Sequence, residues 1–127
     1  MIVAGVGFRS AASADEIEQV VRMALSAFDI SADRLDMLAT EAAKATAPAF
    51  VEAARRLGVS RRGCSLAALD GVRDLVLTRS ERVTEARGVP SISEASALVA
   101  AGANARLLGA RIATARATCA LAIGGGR

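Results

Sequence analysis

From Ile2 to Gly7 the chain reads IVAGVG, an unbroken apolar run rich in β-branched residues, and it predicts a short buried strand. The period then changes. Ile17, Val20, Val21, Ala24, Leu25 and Phe28 fall at i, i+3, i+4, i+7, i+8 and i+11, which lays one apolar stripe along a helix. Ser13-x-x-Glu16 opens that helix as a capping box, with Asp15 and Glu16 at its positive end. RLDMLATE, 34–41, alternates at its start and predicts a second strand. Pro48 suits the first turn of a second helix, faced by Phe50, Ala53, Ala54 and Leu57 and capped by Gly58. VSRRGCS, 59–65, predicts a short third strand, with a helical turn following around Leu66 to Leu69. Residues 70–90 are expected to hold a loop, an extended segment and a short helix starting near Ser80. Directly after Pro90 a second capping box, Ser91-x-x-Glu94, opens the Ala-rich helix EASALVAA, closed by Gly102. ARLLGAR, 105–111, and RATCALAI, 116–123, predict the last two strands, with IATA as the turn near their junction, and the terminal GGGR is expected to fray.

Strands and helices alternate through most of this order, which predicts an α/β fold with helices on the faces of a mostly parallel sheet of about five strands. The last two strands are too close in sequence for a helical crossover. At least one pair is therefore expected to be antiparallel, and the sheet mixed. With 127 residues and no linker or repeat, a single domain over 1–127 is expected.

Composition sharpens this picture. Hydrophobic residues make up 53% of the chain but aromatics only 2%, so the core must be packed with Ala, Val, Leu and Ile. Histidine is absent, which removes the commonest general base and metal ligand. Cys64 and Cys119 stand far apart in no metal-binding spacing, and they read as reduced thiols. No metal and no cofactor are expected. Nothing resembles a secretory leader or the roughly 20 apolar residues of a membrane span, so a cytoplasmic protein without membrane partners is expected. The basic residues are 15 Arg and a single Lys, Lys44. After Glu94 there is no acid, while Arg106, Arg111, Arg116 and Arg127 follow, so the C-terminal segment is a cationic face.

Several positions suit an anion. In an open α/β sheet ligands bind beyond the carboxyl ends of strands. GVGFRS, Gly5 to Ser10, is expected at such an end, ahead of a helix N-terminus. Gly5 and Gly7 let backbone approach a ligand or take positive φ, Arg9 offers a charge-assisted fork, and Ser10 a hydroxyl. A plain tight turn is the competing reading. A dinucleotide site is rejected, because Ser10 stands where the GxGxxG fingerprint needs its third Gly. Thr40 and Lys44 fall on the same rim if the strands are parallel. Arg111 and Arg116 would extend it into a basic mouth. Ser91 and Glu94 read first as capping residues.

Three stretches carry a family resemblance: MIVAGVGFRSAASADEI; LATEAAK with EAARRLGV; and GVPSISEASALVAAGANARLLGARIATARATCALAI. Together they resemble the CobE proteins of cobalamin biosynthesis, which are similar to the C-terminal domain of CbiG, the cobalt-precorrin 5A hydrolase. The resemblance implies a three-layer α/β/α domain and a role in building the corrin ring of vitamin B12. CbiG-type proteins open a δ-lactone on the macrocycle and release acetaldehyde. The CobE-like domain belongs to the aerobic route, and the hydrolase activity is not carried over with it. By position the family motif matches Gly5, Gly7 and Arg9, then Thr40 and Lys44, then Ser91 and Glu94. Two departures stand out: Ala47 where the family often has an acid, and Ala110-Arg111 where it often has Pro-Lys. The second keeps the positive charge.

The expected function is therefore binding of a precorrin or hydrogenobyrinic-acid-type tetrapyrrole through a basic rim, as a carrier or accessory enzyme. Such pigments are flat and ringed with carboxylates, which Arg9, Lys44, Arg111 and Arg116 would grip. The alternatives are a general anion or nucleic-acid-binding module, and a structural partner of other corrin-pathway enzymes. Few aromatics for base stacking and no helix-turn-helix or RRM signature argue against nucleic acid.

Overall fold

The computed structural model describes residues 1–126, the side chains of Arg82 and Arg87 excepted. The chain forms an α/β/α sandwich. Strand β1 (Ile2–Phe8) leads to helix α1 (Ala14–Ala27), β2 (Met37–Glu41), α2 (Pro48–Leu57) and β3 (Ser60–Cys64). Short helices α3 (Leu66–Asp70) and α4 (Glu81–Arg87) precede α5 (Ile92–Ala101), and strands β4 (Arg106–Leu107), β5 (Ile112–Ala113) and β6 (Ala117–Ile123) close the chain.

The sheet runs β3-β2-β1-β6-β4, with β5 also paired to β6. The β1–β2 and β2–β3 pairs are parallel, while β6 is antiparallel to β1, β4 and β5. Only β6 therefore runs against the other strands. Alternation along β1 divides its side chains between two cores. Ile2, Ala4, Val6 and Phe8 face α1 and α2, whose Ile17, Val20, Val21, Phe50 and Ala53 cover them. Val3 faces the opposite layer, with Ala95, Ala97, Leu98 and Ala101 of α5 and Leu69 of α3. Each fully buried Val, Leu or Ile stabilises the fold by about 2 kcal/mol relative to exposure. Cys119 lies in the first core, and burial pushes its thiol pKa well above the usual value.

The starts of α1, α2 and α4 behave as the sequence predicts. Ser13 Oγ accepts the Glu16 N–H at 3.1 Å and Glu16 Oε1 accepts the Ser13 N–H at 3.0 Å, a complete capping box. Pro48 opens α2, and Gly58 closes it at φ 69°. Ser80 caps α4 by accepting the Val83 N–H.

Three expectations are corrected. Gly5 and Gly7 make no turn: both lie inside β1, and neither has positive φ. Gly5 is instead the place where α5 crosses the sheet. A Cβ there would lie 1.9 Å from the Ser93 carbonyl oxygen and 2.6 Å from the Ala97 nitrogen. The strand expected across 105–111 stops after Leu107 and resumes at Ile112, which had been assigned to the turn. The run from Leu107 to Ile112 faces only Ala122 to Cys119, so its surplus residues form a bulge. The Phe28 ring fills the space beside Gly109, and the Arg111 N–H leaves the ladder for the Glu94 carboxylate. Finally, the terminal glycines are held rather than frayed. Gly124, Gly125 and Gly126 donate to the carbonyls of Met1, Ala103 and Ala101 at 2.7–3.0 Å. Arg127 lies outside the described residues.

Candidate functional site

The carboxyl ends of β1 and β2 and the start of β6 meet at one end of the sheet. There they border an open hollow of about 400 Å³. Its floor is Gly7, Phe8 and Thr118, which follow from the Gly7–Thr118 and Phe8–Ala117 register. One wall is Thr40, Glu41 and Lys44. The run from Arg111 through β5 to Arg116 forms a second wall, and Ser80, Val83 and Ala86 of the α4 region a third.

Among the described residues, four cations from distant parts of the chain line this hollow: Arg9, Lys44, Arg111 and Arg116. Their convergence has a local cause in each case. Beyond Phe8 the β1–β6 ladder continues for one bond, as the Arg9 N–H donates to the Arg116 carbonyl at 2.9 Å. Two arginines thus become cross-strand neighbours, an arrangement that is unfavourable unless an anion neutralises it. Among the described residues Arg116 has one carboxylate nearby, Glu16 at 3.6 Å. Among the described residues, neither Arg9 nor Arg111 has a carboxylate within ion-pair distance. The Lys44 ammonium donates to the Phe8 carbonyl and lies 5.0 Å from the centre of the Phe8 ring, a cation–π placement. That ring stacks in turn on Phe50 at 5.9 Å.

The neutral side chains of the hollow are mostly committed to backbone. Thr40 donates its hydroxyl to the Val6 carbonyl at 2.7 Å, and Thr114 to the Ala117 carbonyl at 3.1 Å. Glu41 is the exception in charge: a carboxylate only 4% exposed in a cationic site. Sequence reading passed over it, although its place after Thr40 at a strand end was a usable signal. Thr118 was also missed, and its signal was the alternate position beside Arg116. Nothing local marks Ser80, Val83 or Ala86 as walls.

Of the expected site residues, the fold brings Gly7, Arg9, Thr40, Lys44, Arg111 and Arg116 together on the hollow. It does not bring Gly5, which lies under α5, nor Ser10, which is exposed in the turn after β1. Ser91 and Glu94 are wholly buried behind the hollow. Ser91 Oγ accepts the Glu94 N–H at 3.4 Å, as an N-cap should. The reciprocal half of that capping box is absent, because the Glu94 carboxylate turns to other donors: Leu77, Thr78 and Arg111. Among the described residues no cluster of His, Cys, Asp or Glu is placed to hold a metal ion.

The family described as Cobalamin synthesis G C-terminus matches residues 2–122. The chain belongs to this family. It is accordingly a cobalamin-biosynthesis protein. Protein CobE from Sinorhizobium sp is 31% identical over 121 residues, spanning 95% of this chain and 79% of that protein. The crystal structure of CobE, a protein from the cobalamin (vitamin B12) biosynthetic pathway, matches with a TM-score of 0.93 at 29% identity, covering 100% of this chain and 92% of that one. The cobalamin biosynthesis protein chiG from Agrobacterium tumefaciens str. C58 matches with a TM-score of 0.78 at 36% identity, over 98% of this chain and 99% of that chain. A cobalamin biosynthesis protein G homolog from Sulfolobus solfataricus, 20% identical, shares the fold with a TM-score of 0.70 over 95% of this chain and 36% of its own length. Among the described residues no helix is long and apolar enough to cross a membrane.

Proposed function

We propose that the protein binds a carboxylate-rich tetrapyrrole intermediate, of the precorrin or hydrogenobyrinic-acid type, and acts on its route as a carrier or accessory enzyme. The observation that carries this reading is the convergence of Arg9, Lys44, Arg111 and Arg116 on one hollow with a single carboxylate, Glu41, among its described lining residues. Guanidinium forks suit acetate and propionate groups, and their fixed planes orient what they hold. At about 400 Å³ the hollow lies toward the lower end of ordinary ligand sites, so it takes an edge of the macrocycle with its acidic side chains. Nucleic acid is the poorer fit. Phe8 and Phe50 are buried and Phe28 packs against the core, so no ring is presented for base stacking.

The test is an absorbance titration with hydrogenobyrinic acid. The wild-type protein is expected to shift the pigment spectrum saturably. The double variant Arg9→Ala, Arg116→Ala removes two charge-assisted contacts and is expected to bind about 100-fold more weakly, roughly tenfold per contact. Arg22→Ala, an exposed position on α1 outside the lining of the hollow, serves as the control and should bind as wild type. Unchanged binding in the double variant, or no spectral shift with the wild type, overturns the assignment.

A further inference from the structure

Glu94 carries a fully buried carboxylate on the first turn of α5. Its oxygens meet four donors from two segments far apart in the chain. Oε1 accepts the N–H groups of Leu77 at 2.9 Å and Thr78 at 2.8 Å. Oε2 accepts the Thr78 hydroxyl at 2.9 Å and the Arg111 N–H at 2.9 Å. A buried charge survives only when it is saturated in this way. The first segment runs directly into Ser80 and α4, which line one wall of the hollow. The second carries Arg111, on another wall. One carboxylate therefore ties two walls to the helix beneath them. The Arg111 N–H is available to it only because the strand bulges between β4 and β5.

We propose that Glu94 is the positioning residue of the hollow: it fixes the backbone at Arg111 so that the guanidinium meets a ligand carboxylate, without touching the ligand. The ligand part of this inference rests on the function proposed above. The clamp itself does not.

The chemistry predicts what the amide does. Gln offers one acceptor oxygen and one NH2 donor. The two backbone N–H groups at Oε1 can only donate, so the Gln oxygen must stay with them. The NH2 then occupies the Oε2 place, where the Thr78 hydroxyl can reverse and accept. The Arg111 N–H cannot reverse and is left facing a donor.

Amide hydrogen exchange tests the clamp with no ligand present. In the wild type, the Leu77, Thr78 and Arg111 amides should exchange slowly although none lies in a helix or strand. In Glu94→Gln, the Arg111 amide should exchange at least about tenfold faster while Leu77 and Thr78 stay protected. Wild-type amides that exchange like an exposed loop overturn the clamp, and that arm needs no variant to fold. Equal Arg111 exchange in a folded Glu94→Gln also overturns it. Hydrogenobyrinic acid titration then tests the role. Glu94→Gln and Arg111→Ala should each weaken binding about tenfold, and the double variant should bind no more weakly than Arg111→Ala alone. Additive losses show that Glu94 does not act through Arg111 and overturn the positioning role. Failure of the wild type to bind pigment sinks the ligand reading alone, because exchange has already decided the clamp.

Discussion

At the level of single residues, the same residue type serves opposite ends. Gly5 and Gly7 stand two apart on one strand, and sequence reading gave both to a ligand. Gly7 borders the hollow, while Gly5 is buried against α5. Gly5→Ala forces its Cβ against helix backbone, which cannot rotate away as a side chain tip can. The variant is expected to lose about 3 kcal/mol, seen as a lowered urea midpoint with unchanged slope. A loss below about 0.5 kcal/mol would mean that α5 stands off the sheet at that point. Glu94 teaches the same lesson. Its spacing from Ser91 marks a helix start correctly, but spacing says nothing of which donors its carboxylate faces. Those donors belong to residues 77, 78 and 111, and no local pattern connects them.

Helices and strands were legible where their pattern is local. The apolar stripe and capping box placed α1, and Pro48 and Gly58 bracketed α2, because both signals lie within a few residues of what they cap. The β4–β5 run was misread for the converse reason: where it breaks it meets Phe28 and Glu94, neither of them a neighbour in sequence. The α1–α2 layer also carries a charge network. Glu52 receives Arg55 and Arg56, while Arg56 reaches Asp15 and Glu18 of α1. Hydrogen bonds from the Arg55 and Arg56 guanidinium groups hold the Glu52 carboxyl at about 2, against a usual 4.5. The folded state thus binds this proton less readily than the unfolded chain. The resulting stabilisation is present above pH 4.5 and is lost as pH falls toward about 2. Because the group lies on the surface the effect is modest. Thermal melts across that window should show wild type falling more steeply than Glu52→Gln, and parallel curves would contradict the pairing.

Across the whole molecule, the hollow is a product of topology. Strand β6 runs opposite to β1, so its start lies at the carboxyl end of β1, and Arg116 arrives beside Arg9. Parallel β2 delivers Thr40, Glu41 and Lys44 to the same rim. Charges so gathered attract a polyanion over a range set by salt. Pigment binding is therefore expected to weaken about tenfold or more as ionic strength rises from roughly 0.05 to 0.5 M, where the screening length shrinks severalfold. The Arg9→Ala, Arg116→Ala variant should show a shallower dependence in the same titration, and a slope equal to wild type would place the contacts elsewhere. By itself the sequence determined the α/β alternation, the helix starts and ends, the Ala- and Val-rich cores and the excess of cations, since each rests on periodicity, short spacing or composition. Only the tertiary structure decided which cations share a hollow, that Gly5 admits a helix, that Glu94 ties two walls together and that the terminal glycines are held. Those outcomes depend on contacts between residues far apart in the chain, and strand order, which no local pattern carries, is what brings them into reach.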